Sequence, residues 1–108
     1  MKIDWEYLEE ISGGNMAFQK ELLHAFVSSL PEHLDALTIA ISQQHYAEVE
    51  RRAHFIKGSS AAIGITGIAQ RASILEETSK QGNLPENAKI LLAQIIEGVE
   101  QIQNSNKL

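Results

Sequence analysis

Arg51-Arg52-Ala53-His54-Phe55-Ile56-Lys57-Gly58-Ser59-Ser60-Ala61-Ala62-Ile63-Gly64 is the stretch from which the rest of the chain can be read. On a helical wheel, Val49, Ala53, Ile56, Ser60 and Ile63 recur at spacings of 4, 3, 4 and 3, the stripe of a helix packed in a bundle. His54 lies off that stripe, roughly 140° from its centre. Lys57 follows at i+3, Gly58 at i+4 and Ala61 at i+7, on or near the face that His54 occupies.

A glycine inside a helix costs about 0.5–1 kcal/mol relative to alanine, so Gly58 needs a reason. Helical side chains lean toward the N-terminus, so a side chain at position 58 would lean over the turn that carries residue 54. Its absence is expected to leave one edge of the His54 imidazole open. Lys57 is expected to bring a mobile positive charge beside the ring, suited to phosphoryl oxygens. An open imidazole with a cation beside it is a candidate phosphoryl acceptor. Each feature alone is ordinary, since a lone surface histidine usually means nothing and a helical glycine is often only a packing contact. Their combination favours a site.

Residues 54–64 also resemble the signature of histidine-containing phosphotransfer (HPt) domains: His, two residues, Lys-Gly, two small residues, two more, an apolar residue and Gly. Every element is met by His54, Lys57-Gly58, Ser59-Ser60, Ile63 and Gly64. The resemblance runs over nearly the whole chain, with a specific central motif and generic flanks. It implies a phosphoryl carrier of a two-component phosphorelay. His54 would accept the group from an aspartate of a response-regulator receiver domain, or of a hybrid histidine kinase, and pass it to another receiver aspartate. It further implies that the receiver supplies the acidic pocket and Mg²⁺, while this chain binds no cofactor and has no kinase activity of its own.

Length and composition agree with a small carrier. A chain of 108 residues suffices for one core and one domain. The apolar fraction of 44% and charged fraction of 21% argue against disorder. A net charge of −5 speaks against a nucleic-acid partner, which calls for a basic face. The absence of cysteine excludes a disulfide framework and thiolate chemistry. No apolar run approaches the ~18 residues of a membrane span, and the first residues are acidic rather than a basic leader. A soluble, cytoplasmic monomer without membrane insertion is expected.

Two prolines and pervasive 3.6-residue periodicity predict an all-α fold. Asp4 is a good N-cap, with Ile3 and Leu8 in the places of a hydrophobic staple, so a short helix is expected over residues 4–11, closed by Gly13-Gly14. Trp5 is expected to lid the core, whereas Leu8 and Ile11 are candidate partner contacts. Asn15 caps the next helix. Leu23, Phe26, Leu30, Leu34, Leu37 and Ile41 carry its stripe straight through Pro31, which predicts one long helix with a kink. A turn near residues 42–45 leads to the helix of His54, and Gly64 and Gly67 bracket a tight corner. Ile65, Ile68, Ala72, Leu75 and Ser79 form the next stripe, and Ala88, Leu91, Leu92, Ile95, Val99 and Ile102 the last. Pro85 suits the first turn of that final helix, and a polar, frayed tail is expected from about residue 104. The expected architecture is an antiparallel up-down four-helix bundle with a short extra N-terminal helix.

Two antiparallel helices joined near residue 65 set His54 level with Glu76, and Glu50 level with Lys80. Glu76 is a candidate to accept a hydrogen bond from the imidazole and fix its tautomer, or else an exposed flank charge. Lys80 either adds positive potential or solvates the surface. Phe55 is a candidate docking contact with a receiver, or packs under the first helix, and Ala61 is a further candidate contact. Ser60 is expected to pack in the core and bond back to its own helix, with Ser59 a weaker candidate donor to phosphate. His24, His33 and His45 are expected to be ordinary surface or boundary residues.

Other chemistries find little support. There is no phosphate-binding loop and no His-Glu-x-x-His run, and the four histidines lack metal-ligand spacing. The competing reading is a helical interaction module that binds a signalling partner without being phosphorylated. A small bundle that binds a ligand or metal through its histidines is a further alternative.

Overall fold

The computed structural model describes residues 2–105. The Asp4 carboxylate accepts the Tyr7 N–H at 3.0 Å and starts α1 (Trp5–Ser12). Gly13 and Gly14, with φ of 63° and 73°, end it in the left-handed region that glycine adopts freely. Asn15 then accepts the Phe18 N–H at 3.0 Å and starts α2 (Met16–Ser29).

The single kinked helix expected through Pro31 is instead two helices, α2 and α3 (Pro31–Gln43), meeting at Leu30. Proline has no N–H to give, and its ring displaces the carbonyl four residues back. The ladder is interrupted for one residue, where Leu30 N–H reaches Val27 O at 3.4 Å. Leu30 itself keeps helical angles, and Leu34 N–H bonds its carbonyl at 2.8 Å. The apolar register therefore survives the break, with Phe26, Leu30, Leu34 and Leu37 all buried.

Gln44 closes α3 with φ of 55°, and the chain turns into α4 (Tyr46–Ala62). Gly64 at φ 79° makes the corner to α5 (Thr66–Lys80). A Cβ there would lie 3.1 Å from Asp4 O and 3.1 Å from the Tyr7 ring. The corner is also where the N-terminal segment is stitched on: Asp4 N–H bonds Gly64 O at 2.7 Å, and Gly67 N–H bonds Lys2 O at 3.0 Å.

The last helix, α6 (Ala88–Gln103), begins later than Pro85. Pro85 lies in the preceding loop, and its carbonyl accepts the Ala88 N–H at 3.0 Å in a turn that feeds the helix. Asn104 and Ser105, where a frayed tail was expected to begin, bond back to Glu100 and Ile102, and residues 106–108 lie outside the described residues.

All regular structure among the described residues is helical. α4 packs between α3 and α5, and α6 closes the ring against α5 on one side and α2 with α3 on the other. The result is a four-limbed antiparallel bundle of 42 × 21 × 18 Å, with α1 laid against α2. Leu30, Leu37, Ile56, Leu75 and Ile95 are fully buried in its core. Leu8 is buried there too, at 0% exposure, which corrects its expected place at a partner surface. Burying a leucine side chain is favourable by about 1.5–3 kcal/mol, so the residue serves to seat α1.

Candidate functional site

The Gly64 corner sets α5 antiparallel to α4 and brings residues 54 and 76 face to face. His54 stands on the outer flank of α4 with 69% of its side chain exposed, whereas Glu76 is 2% exposed. A charged carboxylate is seldom buried unless it is paired. This one is paired on both oxygens: His54 Nδ1 lies 2.6 Å from Oε2, and the Lys57 ammonium lies 2.5 Å from Oε1. Lys80 Nζ, one turn along α5, is 3.8 Å from Oε2 and 3.4 Å from Glu77 Oε1.

Burial pushes the Glu76 carboxyl upward, but the Lys57 and His54 hydrogen bonds, with the charges of Lys57 and Lys80, outweigh it and hold it below the ordinary range. It is therefore an anion at neutral pH and accepts the proton carried on Nδ1. In a neutral imidazole with its proton on Nδ1, the free lone pair is then on Nε2. A buried acceptor thus orients an exposed imidazole.

Lys57 differs from its expected part. It is two-thirds buried and held on Glu76, not a mobile charge beside the ring. Gly58 is exposed, and a Cβ added to it would meet nothing within 4 Å. No packing contact in the bundle requires the missing side chain. Ser60 is buried and its hydroxyl donates to Ile56 O at 2.6 Å. The Ser59 hydroxyl donates to Phe55 O at 2.9 Å, so it too is engaged by its own helix.

Glu50, Arg51, Ala47 and Lys80 surround His54 and Glu76 in an open depression of about 420 Å³. Phe55 is 39% exposed, and Ala61 and Ile11 are exposed as well. Phe55 packs against α3: its ring stacks on His33 with centroids 3.7 Å apart and planes 11° from parallel. His33 is thus more than the ordinary boundary residue expected of it. Arg52 Nη1 meets His33 Nδ1 at 3.1 Å, and Glu48 accepts from Arg52 Nε at 2.6 Å and from Arg51 Nη2 at 2.9 Å. The spacing of Glu48, Arg51 and Arg52 at i, i+3 and i+4 announces the second half of this network, but nothing local announces His33. His24 and His45 are exposed, and no cluster of metal-ligating side chains occurs among the described residues. Nor, among them, is any helix long and apolar enough to cross a membrane.

The chain is 30% identical over 101 residues to the phosphorelay intermediate protein rdeA of Dictyostelium discoideum, covering 94% of this chain and 39% of that protein. It is 27% identical over 77 residues to the phosphorelay intermediate protein YPD1 of Candida albicans, covering 68% of this chain and 42% of that protein. It thus spans about two fifths of the length of these curated relatives. The crystal structure of histidine-containing phosphotransfer protein B (HptB) from Pseudomonas aeruginosa PAO1 has the same fold, with a TM-score of 0.81 and 25% identity, over 94% of this chain and 87% of that one. The family model described as the Hpt domain matches residues 21–105, which takes in α3 to α6 and every side chain around His54, and the chain belongs to that family.

Proposed function

We propose that this chain carries phosphoryl groups between receiver domains of a two-component phosphorelay, with His54 as the acceptor. The observation that supports it most is the pairing of an exposed imidazole with a buried carboxylate on its Nδ1, which leaves Nε2 as a nucleophile in solvent. The membership of the Hpt family and the relatives named as phosphorelay intermediates supply the class of reaction.

In the forward step the Nε2 lone pair attacks phosphorus in line, the N–P bond forms, and the P–O bond to the donor aspartate breaks. The aspartate leaves as a carboxylate. The ring keeps its Nδ1 proton and becomes cationic as the bond forms, and the Glu76 anion stabilises that charge at hydrogen-bond distance. In the return step the imidazole departs neutral, with its Nδ1 proton still in place. No proton has to move in either direction, so this chain needs no general acid or base. Its own contribution is position and charge. Lys57 keeps Glu76 ionised, and Lys80, more loosely held, is the cation that meets the phosphoryl oxygens. Gly58 leaves the approach to the ring uncovered.

The proposal assigns this chain neither a kinase site nor a cofactor, and leaves Mg²⁺ with the receiver. It keeps the cytoplasm as the compartment and the monomer as the working unit. Incubation with a panel of phosphorylated receiver domains is the test. Acid-labile label should appear on the wild-type chain and be lost in His54→Gln with helicity unchanged. Binding of a receiver without any label on the wild type would favour the interaction-module reading.

A further inference from the structure

The His33–Phe55 stack joins α3 to the residue that follows His54, and its histidine end is held by Arg52. Guanidinium groups only donate, so the 3.1 Å contact between Arg52 Nη1 and His33 Nδ1 requires Nδ1 to be the acceptor. The ring is then neutral, with its proton on Nε2. Arg52 in turn is tied to Glu48 at 2.6 Å, and its side chain is only 15% exposed. An exposed phenylalanine would ordinarily sample several rotamers and would lose that freedom on binding a partner. Here the ring is fixed before any partner arrives, within one residue of the nucleophile.

We infer that His33 is a positioning residue for phosphoryl transfer: by stacking on Phe55 it presets that ring as the apolar anchor on which a receiver domain seats beside His54. The inference rests on the phosphotransfer reading above. It makes docking, rather than chemistry, the step that His33 controls.

It also gives docking its own pH dependence. The charged groups around His33 are Arg51, Arg52 and Glu48 from α4 and Glu32 from its own helix. Burial and the positive charge of Arg52 hold the His33 imidazole below its ordinary value, against an opposing pull from Glu32. Protonation replaces the Nδ1 acceptor with a donor that faces the guanidinium, and the stack loses its support. Acid pH therefore raises the receiver concentration needed for half-maximal transfer, an effect read apart from the saturated rate.

The experiment measures single-turnover transfer against receiver concentration, from about pH 5.5 to 8, using the receiver that labels the wild-type chain fastest in the panel. Wild type, His33→Ala and His33→Phe are compared, with circular dichroism as the check on folding. His33→Ala should raise the half-saturating concentration about two- to tenfold and leave the saturated rate unchanged. His33→Phe keeps a stacked ring without a titrating nitrogen, so it should restore the wild-type half-saturating concentration and abolish its rise at acid pH. An unchanged half-saturating concentration in His33→Ala, or a change confined to the saturated rate, overturns the inference while leaving the phosphotransfer reading intact. A wild-type chain that takes no label from any receiver overturns both.

Discussion

Glu76, all but inaccessible to solvent, accepts the Nδ1–H of the exposed His54 at 2.6 Å, so a buried carboxylate sets the tautomer of an exposed imidazole. Removing the acceptor takes away a hydrogen bond that strengthens as the ring becomes cationic. Bonds to charged groups contribute about 1.5–3 kcal/mol, so Glu76→Ala should slow transfer at saturating receiver by roughly 10- to 150-fold. Glu76→Gln keeps an oxygen for Nδ1–H but not the negative charge, and its rate should fall between those of the wild type and Glu76→Ala. Single-turnover transfer checks both, and ¹⁵N shifts of the imidazole report whether the Nδ1–H tautomer has been lost. Equal rates in all three proteins would remove Glu76 from the mechanism.

Gly58 separates packing from access. Because a Cβ there meets nothing within 4 Å, Gly58→Ala should raise stability by about 0.5–1 kcal/mol through helix propensity and leave transfer nearly unchanged. Gly58→Leu carries enough length to lean over residue 54 and should block transfer without unfolding the bundle. Thermal melts and labelling rates on the two variants are the measurements. Full activity in Gly58→Leu would mean that access to the ring is not what the glycine provides.

Much of this arrangement is legible in the chain because it is local or follows from one corner. Once Gly64 marks the turn between two antiparallel helices, simple register places residue 76 opposite residue 54. The caps at Asp4 and Asn15 need only their own first turns. What stays hidden depends on the rotation of one helix against another or on the end point of a long side chain. The stack between His33 and Phe55 joins residues on α3 and α4, and no spacing along either helix foretells it. Lys57 has a flexible stem, and its ammonium settles on Glu76 only because a buried carboxylate lies within reach. Gln44 takes a left-handed turn usually given to glycine, so the α3–α4 boundary carries no signal. Leu8 is apolar on a short amphipathic helix, a pattern that serves equally for a staple and for a docking face.

The ion pairs also shape stability in acid. A carboxyl whose folded pKa lies below its unfolded one stabilises fully above the unfolded value and ceases to contribute as pH falls through the folded value. Glu76 is held below the ordinary range, so its contribution disappears below that range. Glu48, bonded to Arg51 and Arg52, is lowered from 4.5 to about 2, which places its window between those two values. Glu48 lies at the surface with 34% of its side chain exposed, against 2% for Glu76, so solvent screening leaves it the smaller effect. Denaturant unfolding midpoints measured from about pH 6 down to pH 3 should fall in the wild type. Glu76→Gln should flatten that fall more than Glu48→Gln does. The reverse order would mean that the buried cluster is not the dominant acid-sensitive element.

Lys57 is where stability and transfer should part company least. Lys57→Ala leaves Glu76 buried with only His54 and the more distant Lys80 for partners. Breaking a buried pair costs about 3–5 kcal/mol and an exposed one less than about 1, and a lysine one-third exposed falls between. A loss of about 1–3 kcal/mol is expected, together with slower transfer, because a Glu76 without Lys57 tends to take up a proton and then offers no negative charge to the ring as it becomes cationic. Raising the pH above neutral should recover part of the saturated rate in this variant by restoring the carboxylate, which in the wild type is already ionised. A Lys57→Ala protein with unaltered stability and an unaltered pH profile would reduce the residue to a surface charge.

Leu8 and Ile11 give the clearest separation of fold from partner contact on α1. Leu8 is at 0% exposure and Ile11 at 36%. Leu8→Ala removes core contacts and should destabilise by about 2–5 kcal/mol, while the saturated transfer rate of the folded fraction stays at the wild-type value. Ile11→Ala lies at the surface and should change stability by less than about 0.5 kcal/mol. If α1 contributes to receiver docking, the effect appears in the half-saturating receiver concentration of Ile11→Ala and not in its melting temperature. Equilibrium unfolding and transfer kinetics on the same two preparations distinguish the cases. A Leu8→Ala protein as stable as wild type would show that α1 is not seated on the core in solution.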